Sequence, residues 1–417
     1  MMRFCQNMKK SFRMLLMMAV LTVALASCER KPLYLVGGGN VELDVAIYDI
    51  RLSLLWGLNW ETEWQYDWAD EYGEIGYTRP DYVRAIMYNV DQFLGKRENP
   101  QTRNFAATGG MVSLLPGSMY DMLFYNSGYE YIQVLTDDDN TYYKATTRRS
   151  STKAYSKSKA AVEESDDDTK YVDYNQPDEF FGTFLSDLWV SDNTDDYEQT
   201  VAEDGTIVYL YRVNASLRPY SMIYLYQIMV INNEDSIGNK IVGAQGYTVT
   251  GLSNEVNMFN RMNDSTSVSV SSEVVRPLID NKTLTLPDGT QVQGDIMACR
   301  MLTWGLSGIS PLDEADKYIA GETKSGSTKA RADEVEPLDD NYINIGVTLR
   351  NGATKVISKN ITEQMNNHPA GGVITIVIDA AQEITKEDLN GGSGSKGGGF
   401  SADVNDWGNS QDAEITI

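Results

Sequence analysis

Leu25-Ala26-Ser27-Cys28 is the stretch whose residue types and spacing point to one definite covalent chemistry. Small residues running into a cysteine match the bacterial lipobox, in which a lipid is joined to the Cys28 thiol and the peptide bond before Cys28 is cut. Upstream, Lys9, Lys10 and Arg13 give a basic start, and Met14 to Ala24 is an apolar run interrupted only by Thr22. A helix needs roughly 20 apolar residues to cross a bilayer, so this run is the core of a signal peptide rather than a span. Residues 1–27 are therefore read as a lipoprotein signal peptide and residues 28–40 as a lipidated tether. Each buried acyl methylene adds about 0.8 kcal/mol, so a multiply acylated Cys28 holds a body to a membrane without spanning it. Glu29 stands where an aspartate would hold a lipoprotein at the inner membrane, which directs the expectation to the outer membrane.

Other reactive types are sparse. Imidazole-activated nucleophiles and histidine metal sites need more than the single His368, which is followed at once by Pro369. Of the three cysteines, Cys5 goes with the signal and Cys28 with the lipid, which leaves Cys299 inside a strand pattern as a small core side chain and no disulfide framework. Acidic pairs abound without one standing out as a glycosidase dyad. Asp192, Thr194 and Asp196 begin like a calcium loop, but Tyr197 stands where such a loop needs glycine. Asp235-Ser236-Ile237 fits a short acceptor pattern for O-glycosylation found in some bacteria. Losing residues 1–27, which hold four basic and no acidic side chains, takes the net charge from −24 to −28. So acidic a body repels nucleic acid and anionic head groups. The residues thus read as a non-enzyme with no cofactor, no metal and no nucleic-acid partner.

Trp56, Trp60, Trp64 and Trp68 offer a different kind of chemistry, that of flat rings on which sugars stack. They belong to an alternation of apolar even positions from Leu52 to Trp68, which predicts a strand, with a parity change near Asp49 and Ile50 that predicts a bulge or turn. The rings serve either a glycan platform or core packing, and packing is the commoner use of such rings.

Positioning these residues falls to strands. Period-two alternation marks Val41 to Ile47, Tyr82 to Val90, Met111 to Leu115, Met119 to Asn126 and Tyr129 to Leu135. It resumes at Ile207 to Val213, Tyr220 to Val230, Tyr247 to Leu252, Val268 to Val275, Leu284 to Leu306, Ile343 to Leu349 and Val373 to Ile378. Asp204-Gly205-Thr206 and Arg350-Asn351-Gly352 are hairpin turns, and Phe180 to Leu188 is expected to form a short helix or irregular cap. Thr146 to Asn175 is charged and poor in large apolar residues, and so reads as a linker or long loop. About 390 mature residues exceed what one core usually serves. The resulting division is an all-β chain with an N-terminal β-sandwich at 41–145, a linker at 146–176 and a C-terminal β-sandwich at 177–417.

The lipobox, Leu115-Pro116-Gly117 leading into Leu123-Phe124-Tyr125-Asn126, Leu217-Arg218-Pro219 opening a long strand, Gly246-Tyr247 to Gly251-Leu252-Ser253, and Pro369-Ala370-Gly371-Gly372 before Val373 together resemble the fimbrillin-like lipoproteins of Bacteroidales. More narrowly they resemble the anchor or minor subunits of type V fimbriae. That resemblance implies two tandem transthyretin-like Greek-key β-sandwich domains after a lipoprotein signal peptide. It also implies fimbrial structural subunits as partners, attachment to the outer membrane through the lipid on Cys28, and binding by a strand added along a sheet edge. The runner-up from another class is a surface glycan-binding lipoprotein that uses Trp56, Trp60, Trp64 and Trp68.

Overall fold

The computed structural model describes residues 41–52, 63–137, 143–149, 173–201, 207–311 and 340–390, apart from residues 93, 108, 113 and 287. The chain folds almost entirely into strands. In order they are β1 (Val41–Leu52), β2 (Tyr82–Val90), β3 (Arg97–Ala106), β4 (Gly109–Val112), β5 (Ser118–Asn126), β6 (Ile132–Thr136), β7 (Tyr143–Thr147), β8 (Asp173–Tyr174), β9 (Phe181–Val190), β10 (Glu198–Val201) and β11 (Ile207–Pro219). There follow β12 (Met222–Ile231), β13 (Glu234–Asp235), β14 (Gly238–Asn239), β15 (Ile241–Leu252), β16 (Glu255–Asn257), β17 (Val268–Ser272), β18 (Ile279–Thr285) and β19 (Gln291–Thr303). The last are β20 (Tyr342–Leu349), β21 (Thr354–Asn360), α1 (Thr362–Asn367), β22 (Gly372–Asp379), α2 (Ala380–Glu383) and α3 (Lys386–Asn390).

The first sandwich is a ring of pairing in the order β1-β4-β3-β2-β5-β9-β11-β10, closed by β1 against β11. Two contacts in that ring are corners. β3 meets β4 only at Ala106 and Gly109, and β9 meets β11 only at Gly182 with Arg218 and Phe181 with Pro219. Between the corners lie two layers of four, β3-β2-β5-β9 and β4-β1-β11-β10. Val83, Ala85, Met87, Met122 and Phe124 from one layer meet Val213, Ala215 and Leu217 from the other. Burial of such side chains stabilises by about 1.5–3 kcal/mol each.

The second sandwich packs β18-β19-β12-β22 onto β21-β20-β15-β17-β8. Tyr224, Tyr226, Ile228 and Val230 of β12, with Met297, Cys299 and Met301 of β19, face Tyr247, Val249, Ile343, Ile345 and Val347. The two sandwiches share a core, because β2 and β5 are apolar on both faces. Ile86, Tyr88, Leu123 and Tyr125 point away from the first core and join Ile132, Tyr143, Phe180 and Tyr220 in the second. A three-stranded ribbon, β16-β7-β6, lies across the junction.

Three sequence expectations change. Phe180 to Leu188 is not helical, because Phe181–Val190 is the strand β9, paired antiparallel with β5 from Ser118↔Val190 to Tyr125↔Gly182. That pairing also moves the boundary between the sandwiches. Strands β9 to β11 belong with β2 to β5, so the division falls between Pro219 and Met222 rather than at residues 146–176. Trp64, Tyr66 and Trp68 lie outside any strand, whereas Trp56 and Trp60 are outside the described residues. The parity change near Asp49 and Ile50 is a break in register, falling between Tyr48 and Arg51 in the β1–β11 pair.

Candidate functional site

The element on which the candidate site is built is β1. It is the first of the described strands, yet it is an interior strand of its layer. It runs parallel to β11 from Val41↔Ile207 to Leu52↔Leu217 and antiparallel to β4 from Val45↔Val112 to Tyr48↔Gly109. A parallel partner cannot be reached by a tight hairpin, so β1 is delivered to its slot by chain geometry rather than by a local turn. The slot beside it is narrow. A Cβ on Gly110 would come within 2.6 Å of Phe105 Cδ1, and Gly109 takes a φ of +100° that side chains disfavour. Without β1, β4 would keep only its single corner pair with β3, and β11 would lose a full-length neighbour.

Residues 63–79 cover the outer face of β18-β19-β12-β22 in the second sandwich. Here Trp64, Tyr66, Trp68 and Tyr72 pack on Met229, Leu284, Ile296 and Ala298, and Ile75 and Tyr77 pack on Ile223, Leu225, Leu302 and Val373. This strap, residues 63–79, is tied down at three places. Gln227 accepts from the Gln65 amide at 3.0 Å and donates to the Glu63 carbonyl at 3.0 Å. Gln65 Nε2 donates to Thr285 O and Gln65 Oε1 accepts from Thr285 N, each at 2.9 Å, so this side chain occupies the free edge of β18. Arg300 donates to the Ile75 and Gly76 carbonyls at 2.8 and 3.1 Å and pairs with Glu179 at 2.7 Å, while Glu179 Oε2 accepts from Thr78 N. The opposite edge of the sheet is met by Gln364, whose amide bonds both main-chain groups of Thr375 on β22.

The ring ladder is therefore a packing device where it is described. Trp64 and Trp68 are half-buried, and their centroids lie 6.1 Å apart at a tilt of 59° rather than coplanar. Trp68 lies under the Arg276 guanidinium at 4.7 Å, and Tyr72 shares the same cation at 4.6 Å. Tyr66 is buried, its hydroxyl donates to Pro277 O at 2.9 Å, and burial pushes its pKa up to about 12.

The remaining sequence candidates are placed as follows. Cys28 lies outside the described residues. His368 follows α1, half-buried, with its ring against Gly372 and its carbonyl accepting from Tyr224 Oη at 2.7 Å, and burial lowers its imidazole pKa. Cys299 is fully buried in the second core, which pushes its thiol pKa up and leaves it an inert packing group. Asp196 accepts from Ser191 Oγ, and among the described residues no cluster of His, Cys, Asp and Glu is arranged to hold a metal. Sequence reasoning did not single out Gln65, Gln227 or Gln364, because a glutamine that caps a strand edge leaves no periodic signal.

A family model described as a domain of unknown function (DUF5119) matches residues 62–273. No curated protein matches the chain. Among solved structures, one described as a candidate adhesin from Bacteroides ovatus ATCC 8483 is similar at 13% identity over 81% of this chain and 92% of that one, with a TM-score of 0.42. The fimbrial anchor protein Mfa2 from Porphyromonas gingivalis is similar at 9% identity over 81% and 90%, with a TM-score of 0.35. Proteins from Bacteroides thetaiotaomicron described as candidate polysaccharide binders (DUF1812) are similar at 10% identity over 81% and 91%, with a TM-score of 0.34.

Proposed function

This chain belongs to the family described as a domain of unknown function (DUF5119), and from that premise we propose that it is a lipid-anchored outer-membrane adhesion protein, an anchor or minor subunit at the base of a fimbria that binds a fimbrial subunit by strand complementation. The observation that carries the reading is the place of β1. A strand that is the first of the described strands and interior in its layer can be exchanged for a strand of another chain without rethreading the described fold. The β4–β11 slot then receives a partner's extended segment through main-chain hydrogen bonds, each worth about 0.5–1.5 kcal/mol net. Residues 28–40 lead directly into β1, so in this reading the membrane tether and the slot-filling strand are one continuous piece of chain. No observation on Trp64 and Trp68 favours the glycan reading.

Recovery of the full chain from its native membrane tests the proposal. Filament subunits are expected to come with it, and Cys28→Ala is expected to leave the membrane fraction. Paired substitutions Ala46→Cys and Met111→Cys, at register partners in β1 and β4, should lock β1 in place under oxidation and abolish subunit capture until reduced. Recovery without any filament subunit, together with retention on a polysaccharide column, would reverse the assignment.

A further inference from the structure

We propose that Ser236, at the tip of the β13–β14 hairpin, is a site of O-linked glycosylation, with a sugar activated as a phosphate or diphosphate ester as the donor. The inference is independent of the fimbrial reading. It rests on how the Asp235-Ser236-Ile237 triplet is presented. Ser236 is exposed, and Ile237 is 79% exposed, the highest value for any large apolar side chain among the described residues. One exposed isoleucine is unremarkable by itself. Here it completes a triplet in which Ser236 and Ile237 are exposed and the Asp235 carboxylate is fixed within the turn.

The hold is specific. Asp235 Oδ1 accepts from Ile237 N at 2.8 Å and from Arg350 Nη1 at 2.5 Å, and the same guanidinium nitrogen reaches Gly238 O across the hairpin at 3.1 Å. The base is closed by Asn233, which donates to Ile241 O at 2.9 Å and accepts from Ile241 N at 2.8 Å, and by Lys240 N donating to Asn233 O at 2.8 Å. Asn233 also reaches the Asp295 carboxylate on β19 at 2.7 Å, which fixes the hairpin to the second sandwich. The Arg350 guanidinium beside it, and the Ile237 amide, hold the Asp235 carboxyl down at about 2, so the carboxylate is charged at neutral pH. A transferase therefore meets an invariant shape: a fixed carboxylate, a free hydroxyl and an apolar knob.

The chemistry balances without a cofactor. Ser236 Oγ attacks the anomeric carbon of the donor, the bond from that carbon to the phosphate oxygen breaks, and the phosphate or diphosphate leaves with the electron pair. The hydroxyl proton goes to a base on the transferase, since Asp235 already accepts from Arg350 and Ile237. The sequence Asp264-Ser265-Thr266 supplies an internal comparison. Its serine is also exposed, but its third residue is a threonine rather than an apolar knob.

The test uses the full chain recovered from membranes of the cells that make it, with mass analysis of the peptide containing residues 232–240. A sugar mass on Ser236, released by mild alkaline elimination, is expected. It should vanish in Ser236→Ala, persist in Ser236→Thr and be lost in Asp235→Asn although the hydroxyl remains, with unchanged circular dichroism throughout. An unmodified Ser236, a phosphate in place of sugar, or a sugar found on Ser265 alone would overturn the proposal.

Discussion

Gln364 stands in for a missing strand at Thr375, donating from Nε2 to its carbonyl and accepting at Oε1 from its amide, each at 2.8 Å. Gln65 does the same for Thr285 at the far edge of the same sheet. An open β-edge invites pairing with other chains, and these two amides close it with side chains where other folds use a helix or a charge. The sheet whose edges are guarded is not the one in which β1 lies.

Gln364→Ala should therefore act in two ways. Two main-chain groups of Thr375 lose their partners, which costs about 1–3 kcal/mol and should lower the urea midpoint with no change in slope. The freed β22 edge should also raise self-association, read by light scattering after gel filtration. Gln364→Glu keeps the acceptor for Thr375 N but loses the donor to Thr375 O, so its effect should be intermediate.

Arg300→Met should release the strap. Its guanidinium serves the Ile75 and Gly76 carbonyls and Glu179 from a position 18% exposed, and removing it leaves Glu179 with an unpaired, mostly buried charge. Partial exposure keeps the loss below that of a fully buried pair, at about 1–3 kcal/mol. Hydrogen exchange in residues 63–79 should accelerate while that of β12 and β19 stays slow. Uniform acceleration through both strands would mean that the strap is part of the core rather than a cover on it.

Much of this architecture was legible in the chain. Alternation placed β2, β5, β12 and β20 within a residue or two, and Arg350-Asn351-Gly352 turns β20 into β21 with register from Tyr342↔Asn360 to Thr348↔Thr354. Strand β3 was invisible, because of its ten residues only Phe105 is buried and its polar sequence follows no period. Strand β9 opens with Phe181-Gly182-Thr183-Phe184-Leu185, whose large apolar residues follow no strict alternation, so periodicity cannot assign it to helix or strand. The charged stretch at 146–176 marks a real break in composition, but β5 pairs with β9 across it, and long-range pairing leaves no local trace. Trp64, Tyr66 and Trp68 show strand spacing without a strand, since a segment lying on a sheet face needs alternate rings for contact and no ladder.

The corner at Gly182 should tolerate no side chain. A Cβ there would lie 2.2 Å from Tyr220 Cε2 and 2.9 Å from the Phe124 carbonyl, and that oxygen belongs to a buried strand with nowhere to move. Gly182→Ala is expected to cost about 3 kcal/mol or more, beyond the usual overpacking penalty. Gly128→Ala makes the control, with φ +98° and open space around the Cβ, and should cost about 1 kcal/mol.

His368 is the only histidine, so its titration can be followed without assignment. Burial lowers its pKa below the ordinary 6.5, which means that the unfolded chain binds the proton more readily than the folded one. Its contribution to stability is complete above pH 6.5 and falls as the pH drops through the folded value, with a slope of at most about 1.4 kcal/mol per pH unit. Glu63, raised by desolvation, runs in the opposite sense from its own ordinary value upward. Subtracting the pH profile of His368→Gln from that of the parent isolates the imidazole, and a difference that does not decline between pH 7 and 5 would contradict its burial.

Deleting residues 1–52 puts the role of β1 to a direct test. The layer β4-β1-β11-β10 then lacks an interior strand, β4 retains its one corner pair, and the inner edge of β11 is open along the ten positions that β1 had matched. The second sandwich and the layer β3-β2-β5-β9 keep their own strands, so the truncated chain should remain folded over most of its length while melting earlier and in a broader transition. A synthetic peptide of residues 41–52 should bind it in trans and restore the parent melting temperature, because the slot asks for an extended backbone more than for a particular connection. Reversing the peptide's sequence should abolish rescue, since it disrupts the Val41↔Ile207 register. If the truncated chain melts like the parent and ignores the peptide, β1 is an ornament on a complete sandwich. The slot between β4 and β11 would then have no claim on a partner's strand.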